Sequence, residues 1–271
     1  MTIDKTIGFI GCGNMGKAMI EGMIKSKMLD GEQLFVSNAH PEKLKEFSVR
    51  YDFYISDNLT VAKQSDILFL AVKPYMYASV IDEIKEWVKQ DVIIVNIAAG
   101  IEIDDIYEMF GRKVKTVRAM PNTPALVQAA MSAISFGDNI SENEQSMIVE
   151  LFSGFGQAHV IAEKQMDAVI AISGSSPAYI FIVIEAMADG AVALGMARDD
   201  AYVFAAQAVF GAAKMVLETG MHPGVLKDMV CSPGGTTMEA VKVLERHGLR
   251  YAFMDAMQAC AEKNAAMKSK K

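Results

Sequence analysis

Cysteine and histidine are scarce: three cysteines, Cys12, Cys231 and Cys260, and four histidines stand in 271 residues. Neither set has the spacing of a disulfide framework or a zinc site, so reduced thiols and no metal are expected. Positive charge is also in deficit, with 26 Lys+Arg against 33 Asp+Glu and a formal net charge of −7. That balance argues against a protein that binds nucleic-acid phosphates, but a single helix terminus can still bind a small anion. The opening Met1-Thr2-Ile3-Asp4-Lys5 lacks the basic region, apolar stretch and cleavage site of a secretory signal. The most membrane-like stretch, between Asp167 and Glu185, stops just short of a span and is broken by Ser173, Gly174, Ser175, Ser176 and Pro177. It reads as a buried helix rather than a membrane segment. A soluble, cytoplasmic protein without membrane or nucleic-acid partners is the expectation. There is no internal repeat, and the Lys268-Ser269-Lys270-Lys271 tail reads as a solvated terminus.

What is present is a globular composition, 52% hydrophobic and 22% charged, in a length that suits one large domain or two modest ones. The first 120 residues alternate two periodicities. Lys5 to Gly11 is a short apolar run that reads as a strand, and Asn14 to Met28 follows with Met15, Ala18, Met19, Gly22 and Met23 at helical spacing. Leu34-Phe35-Val36 is a second strand, and Pro41 opens a short helix. Asp66 to Val72 and Val92 to Asn96 are apolar runs between a polar residue at one end and the next loop, without alternation, the pattern of strands buried on both faces. Strands alternating with helices imply right-handed crossovers and a doubly wound, mostly parallel α/β sheet of Rossmann type.

Beyond about Glu163 strand signals stop. Long apolar helices are expected over Pro177–Leu194, Asp199–Glu218 and Arg250–Met267, and Ala201 to Ala213 is apolar nearly all round, as in a helix buried on every side. About a hundred residues cannot bury several such helices in one small bundle, so this half is expected to self-associate, most simply as a symmetric dimer. The expected division is a dinucleotide-binding domain over 1–163 and an all-α dimerisation and substrate-binding domain over 164–271.

Gly11-Cys12-Gly13-Asn14-Met15-Gly16 fits G-x-G-x-x-G directly after a strand and directly before a helix. In that setting the glycines permit a tight turn and close approach of a pyrophosphate to the helix N-terminus. The acid that would bind a ribose 2′-hydroxyl about 20 residues on is missing. The second strand ends instead in Val36-Ser37-Asn38-Ala39-His40. Ser37 and Asn38 can hydrogen-bond a phosphate and His40 or Lys43 can add charge, which favours NADPH while leaving NADH possible. Two more loops end strands on the same side, Ala71-Val72-Lys73-Pro74 and Asn96-Ile97-Ala98-Ala99-Gly100, and Pro121 and Pro124 brace Asn122. Lys73 reads equally as an exposed loop lysine. In the second half, Ser232-Pro233-Gly234-Gly235-Thr236-Thr237-Met238-Glu239 shapes a loop opening a helix, with Thr236-x-x-Glu239 as a capping box. Its amides and hydroxyls suit a carboxylate. Glu185 and Asp189, four apart, read as interface polar groups rather than an acid/base pair. Cys12, at a helix N-terminus, and Cys231 are placed where a thiol pKa can be lowered.

These residues together resemble pyrroline-5-carboxylate reductase, over nearly the whole chain. The resemblance is carried by Gly8 to Gly16, with Ile10 before the glycines, by Ala71 to Pro74 and Val117 to Pro124, by Glu185-Ala186-Met187-Ala188-Asp189-Gly190, and most specifically by Leu226 to Thr237. It implies a nicotinamide cofactor at Gly11 to Gly16, Ser37, Asn58, Ala71 to Lys73 and Ala98. It implies a substrate carboxylate on Ser232, Gly234, Gly235, Thr236 and Thr237, reached across a dimer interface. It also implies that Thr237 hydrogen-bonds the ring nitrogen, in an intertwined dimer often built into larger rings. The chain departs from the family pattern at Ser176, where glycine is usual, and at Ala39-His40, where many members carry an arginine. A 3-hydroxyacid dehydrogenase would share this architecture, but Ala168 to Leu194 holds no lysine to serve as its base. A cofactor-binding regulatory protein without turnover is the other alternative.

Overall fold

The computed structural model describes residues 3–268; Ser269 to Lys271 of the expected solvated tail lie outside the described residues. The chain divides into two compact units, Ser176–Ala259 and the remainder, the latter made of the chain up to Ser175 and from Cys260 on.

The larger unit is built on one sheet. Its strands are β1 (Ile7–Ile10), β2 (Leu34–Ser37), β3 (Tyr54–Ile55), β4 (Ile67–Leu70), β5 (Ile93–Asn96), β6 (Lys115–Met120), β7 (Ala130–Phe136) and β8 (Gly156–Val160). Among the described residues the order is β3-β2-β1-β4-β5-β6-β7-β8, parallel except where β7 pairs antiparallel with β6. The helices are α1 (Asn14–Lys25), α2 (Lys45–Tyr51), α3 (Asn58–Gln64), α4 (Tyr77–Ile84), α5 (Ile103–Phe110), α6 (Glu142–Ser153) and the single turn α7 (Met166–Val169). The doubly wound reading holds. The first helix closes at Lys25 rather than Met28, because Lys27 takes positive φ and Met28 N–H turns back to the Met23 carbonyl.

Period-two geometry explains the all-apolar strands. Ile7, Phe9, Ile67, Phe69, Ile93 and Val95 fall in one buried cluster with Met19, Met23 and Phe152 of α1 and α6. Ile10, Leu68, Leu70 and Ile94 fall in a second, with Tyr77 and Ile81 of α4. Phe9 and Phe69 stack across neighbouring strands with ring centroids 4.5 Å apart. The chain leaves β1 at the centre of the order and returns through β4 on its other side. That reversal opens a crevice at the carboxyl ends of the strands.

The smaller unit contains α8 (Ser176–Ala193), α9 (Arg198–Thr219), α10 (Pro223–Val230), α11 (Thr236–Arg246) and most of α12 (Leu249–Lys268). α9 is not buried on every side in the single chain. Ala201 and Ala205 are buried, whereas Phe204 is 66% and Phe210 58% exposed, because no other described residue covers them. α8 repeats the pattern, with Phe181 and Ile182 exposed. The stretch expected to be too short for a span is also longer than expected. The path from Glu163 to Ala193 is continuous through a π-helical turn at Ile170–Gly174, and it and Arg198–Thr219 are each long and apolar enough to cross a membrane.

Candidate active site

The glycine-rich turn joins β1 to α1. Gly11 has φ +89°, and a Cβ there would lie 2.7 Å from the Ala71 backbone, so no side chain fits. Gly11 N–H donates to the Ser37 carbonyl (2.9 Å) and Ala71 N–H to the Ile10 carbonyl (2.8 Å), which locks the ends of three strands together. Gly13 caps α1 with no side-chain hydrogen bond, and the first turn holds no acid. The helix therefore presents its amides and the positive end of its dipole. Space beside Gly13 is open, whereas a Cβ at Gly16 would lie 3.3 Å from the Gly11 carbonyl oxygen. A turn of this build fits a pyrophosphate.

Around it lies a cleft of about 820 Å³. Ile10, Gly11, Gly13, Asn14, Met15 and Gly16 line it from the turn, Ser37 and Asn38 from beyond β2, Asn58 from the start of α3, and Ala71, Val72 and Lys73 from beyond β4. Ala98 lies between the lining residues Ile97 and Ala99, itself buried, with its N–H given to Asn96 Oδ1 (2.9 Å). His40 and Lys43 do not line the cleft, and His40 Nδ1 sits 3.4 Å from Glu42. Ser37 is buried; its hydroxyl donates to Asn58 Oδ1 (2.6 Å), and Asn58 Nδ2 donates to Glu83 Oε2 (2.8 Å).

Asn122 is held as the flanking prolines suggest. Its Oδ1 accepts Met131 N–H (2.9 Å) and its Nδ2 donates to the Ser173 carbonyl and hydroxyl (both 3.2 Å). It braces the loop whose Pro121 and Thr123 line the cleft. Cys12 reverses expectation. It is buried, and burial pushes its thiol up to about 12, against the smaller opposing effect of Lys17. Burial in apolar surroundings here outweighs both the helix terminus and the lysine, each of which lowers a thiol.

Sequence reading missed Ser56, Asp57, Met76, Val80 and Glu83 as lining residues. Asp57 had a legible signal, since its carboxylate accepts Thr60 N–H (2.7 Å) as a helix cap. Glu83 had none: the placement of α4 puts it there.

In the helical unit, Ser232 to Thr237 forms a tight turn into α11. Gly234 has φ +69°, and Gly235 N–H donates to the Ser232 carbonyl (3.0 Å). The expected capping box does not form. Gly235 is the cap residue, which moves Thr236 into the helix, and Glu239 pairs with Lys242 at 3.0 Å instead. No side chain caps this helix start. Ser232 and Thr236 are exposed and Thr237 is half-buried. Asp189 pairs with Arg198, a structural role for one of the two spaced carboxylates.

The sheet order, glycine-rich turn and crevice define a Rossmann-type dinucleotide-binding protein carrying a separate helical unit. Residues 6–100 match the family model described as NADP oxidoreductase, coenzyme F420-dependent, and residues 163–267 match that described as pyrroline-5-carboxylate reductase dimerisation. The pyrroline-5-carboxylate reductase of Escherichia coli (strain K12) is 48% identical over 263 residues, covering 97% of this chain and 98% of that one. The reductase of Methanosarcina acetivorans is 43% identical over 268 residues, covering 98% and 99%. Among solved structures, the Coxiella burnetii enzyme superposes with a TM-score of 0.90 at 32% identity, covering 97% and 98%. The Plasmodium falciparum enzyme with NADP bound gives 0.89 at 31% identity, covering 99% and 100%. The chain belongs to the pyrroline-5-carboxylate reductase family. Its helical part is a self-association region.

Proposed function

We propose that this protein reduces L-1-pyrroline-5-carboxylate to L-proline, the last step of proline biosynthesis, with NADPH as the preferred cofactor. The carrying observation is the cleft, in which the glycine turn, Ser37, Asn58 and Ala71 to Lys73 converge. NADPH when bound supplies the hydride. The chain's own residues bind and orient. Ile10 to Gly16, Ser37, Asn38, Asn58, Ala71 to Lys73 and Ala98 hold the dinucleotide, with the uncapped start of α1 on its pyrophosphate.

The substrate is a cyclic imine bearing a carboxylate. Its carboxylate rests on the turn of Ser232, Gly234, Gly235, Thr236 and Thr237, where an uncapped helix start offers amides beside hydroxyls. Thr237 orients the ring nitrogen. Protonated before attack, that nitrogen makes its carbon a good electrophile, so no strong acid is required. Orientation is then the main contribution, worth up to about 7–11 kcal/mol in favourable cases. Residues 1–163 act as the cofactor domain and 164–271 as the dimerisation and substrate domain.

The oligomer is an intertwined dimer or a higher assembly of dimers, in the cytoplasm, with no membrane or nucleic-acid partner. Both membrane-length stretches fall within the region matching the dimerisation family, which supports a second copy as their cover rather than lipid. The test is a steady-state assay of NADPH and NADH oxidation with racemic pyrroline-5-carboxylate, proline being identified as product. Turnover with a higher kcat/KM for NADPH is expected. Protein that binds NADPH but forms no proline would overturn the reading and favour a regulatory role, with Ser176→Gly the first reversion to try.

A further inference from the structure

Tyr75 and Tyr77 stand two residues apart and meet opposite fates. Tyr75 is 83% exposed, whereas Tyr77, the first residue of α4, is completely buried in the apolar cluster that holds Ile10, Leu70 and Ala98. A phenol sealed from water needs a partner for its hydroxyl. Here the hydroxyl donates to the Leu70 carbonyl (2.5 Å), which can only accept. The amides of Ile97 and Ala98 face the same oxygen. Burial raises the phenol far above its ordinary value of 10.0, and these amides oppose that less strongly. The proton therefore stays on the oxygen, and a backbone group fixes its direction.

These contacts fall on two loops at the carboxyl ends of β4 and β5. The first, Ala71 to Met76, begins after Leu70 and ends before Tyr77, so the phenol closes it into a ring. Ala71, Val72, Lys73, Pro74 and Met76 line the cleft, yet none of them is buried, and packing alone holds such a loop weakly. The second loop follows Asn96, whose side chain accepts Ala98 N–H and donates to the Ile101 carbonyl (both 2.9 Å), and it puts Ile97 and Ala99 on the cleft. Tyr77 itself does not line the cleft. We propose that Tyr77 is a positioning residue of the cofactor site, its buried hydroxyl joining the two loops and holding both in the shape that receives the dinucleotide. The inference rests on the dinucleotide reading of the cleft. Both loops lie across β1 from the end of β2, where Rossmann folds meet the 2′ substituent of the ribose. The tie therefore sets affinity for NADPH and NADH alike and leaves the choice between them to other residues.

The test reads equilibrium binding rather than turnover. Dissociation constants for NADPH and for NADH are measured by titration calorimetry, beside melting temperatures, on the wild type, Tyr77→Phe and Phe110→Leu. Tyr77→Phe removes one oxygen and keeps the ring that fills the core, so the fold persists. Both constants are expected to rise about three- to tenfold, the worth of one hydrogen bond, while their ratio moves less than about twofold. Phe110 closes α5 in the same apolar cluster and does not line the cleft. Phe110→Leu is expected to lower the melting temperature at least as much as Tyr77→Phe and to change either constant less than about twofold. Constants for Tyr77→Phe that match the wild type overturn the proposal. So does an equal rise in Phe110→Leu, which would make affinity follow stability rather than loop position. Wild-type protein that binds neither nucleotide would instead sink the dinucleotide reading, and the proposal with it.

Discussion

The two units bury their apolar residues in opposite ways. In the α/β unit the apolar residues of β1, β4 and β5 are all buried, in two clusters shared with helices of the same unit. In the helical unit α8 and α9 carry long apolar stretches, yet Phe181, Ile182, Phe204 and Phe210 stand open in the single chain. Continuous hydrophobicity thus has two meanings. Where the chain supplies its own cover it builds a core. Where it does not, it marks a surface that must be covered by something else. Residues 163–267 match a dimerisation family, which supports a second copy as that cover.

The largest expected effect comes from breaking that cover. Phe204→Glu would bury an unpaired carboxylate at the association surface, at a cost of several kcal/mol. The dissociation constant of the oligomer should rise by roughly a hundredfold or more, since each 1.4 kcal/mol is tenfold. Sedimentation velocity reads this directly, and an unchanged oligomer would place Phe204 outside the interface.

The equivalent attack on the α/β unit acts within one chain. Gly11→Ala forces a side chain at φ +89° against the Ala71 backbone. Such strain costs about 1–3 kcal/mol, and each kcal/mol lowers the melting temperature by roughly 2–4 °C at this size. NADPH affinity should fall with it while the oligomer persists. A thermal melt and a binding titration on the same sample check both halves; loss of the oligomer would erase the contrast between the units.

Thr237→Ala sharpens the comparison from the chemical side. If its hydroxyl pairs with the substrate, kcat/KM should drop by about 1–3 kcal/mol, roughly five- to 150-fold, with the NADPH dissociation constant unmoved. Unchanged kinetics would remove Thr237 from the mechanism.

The smallest effect is a pH dependence confined to the cofactor side. The Asp57 carboxylate accepts hydrogen bonds from Thr60, which hold it below its ordinary value of 3.8. A depressed folded-state value stabilises the fold above 3.8 and ceases to do so as the pH falls through the lowered value. Between pH 5 and 3, wild type should therefore lose slightly more of its urea midpoint than Asp57→Ala does. Parallel pH curves for the two proteins would contradict this.

The sequence revealed the sheet because buried parallel strands leave an unambiguous apolar run, and it revealed the glycine turn because strand, motif and helix follow one another directly. It did not reveal β7 and β8, whose Ala130, Ser132, Ala133, Ser135 and Gly156 are too small to stand out as strand formers. The capping-box pattern at Thr236 and Glu239 was present but not used, since Gly235 takes the cap and Lys242 takes the glutamate. Burial misled in one direction only. An apolar helix was read as one buried on every side, but pattern alone does not say whether its own chain or another covers it, and its own chain leaves Phe204 and Phe210 open. Glu83 lies at the other extreme, because its place in the cleft depends wholly on how α4 packs and leaves no local trace.

The most direct test of this account is the native mass of the wild-type protein by light scattering in detergent-free buffer. It predicts twice the 29.5 kDa chain mass or a larger even multiple. A soluble, monodisperse 29.5 kDa species would contradict it, because the open faces of α8 and α9 would then need no second copy.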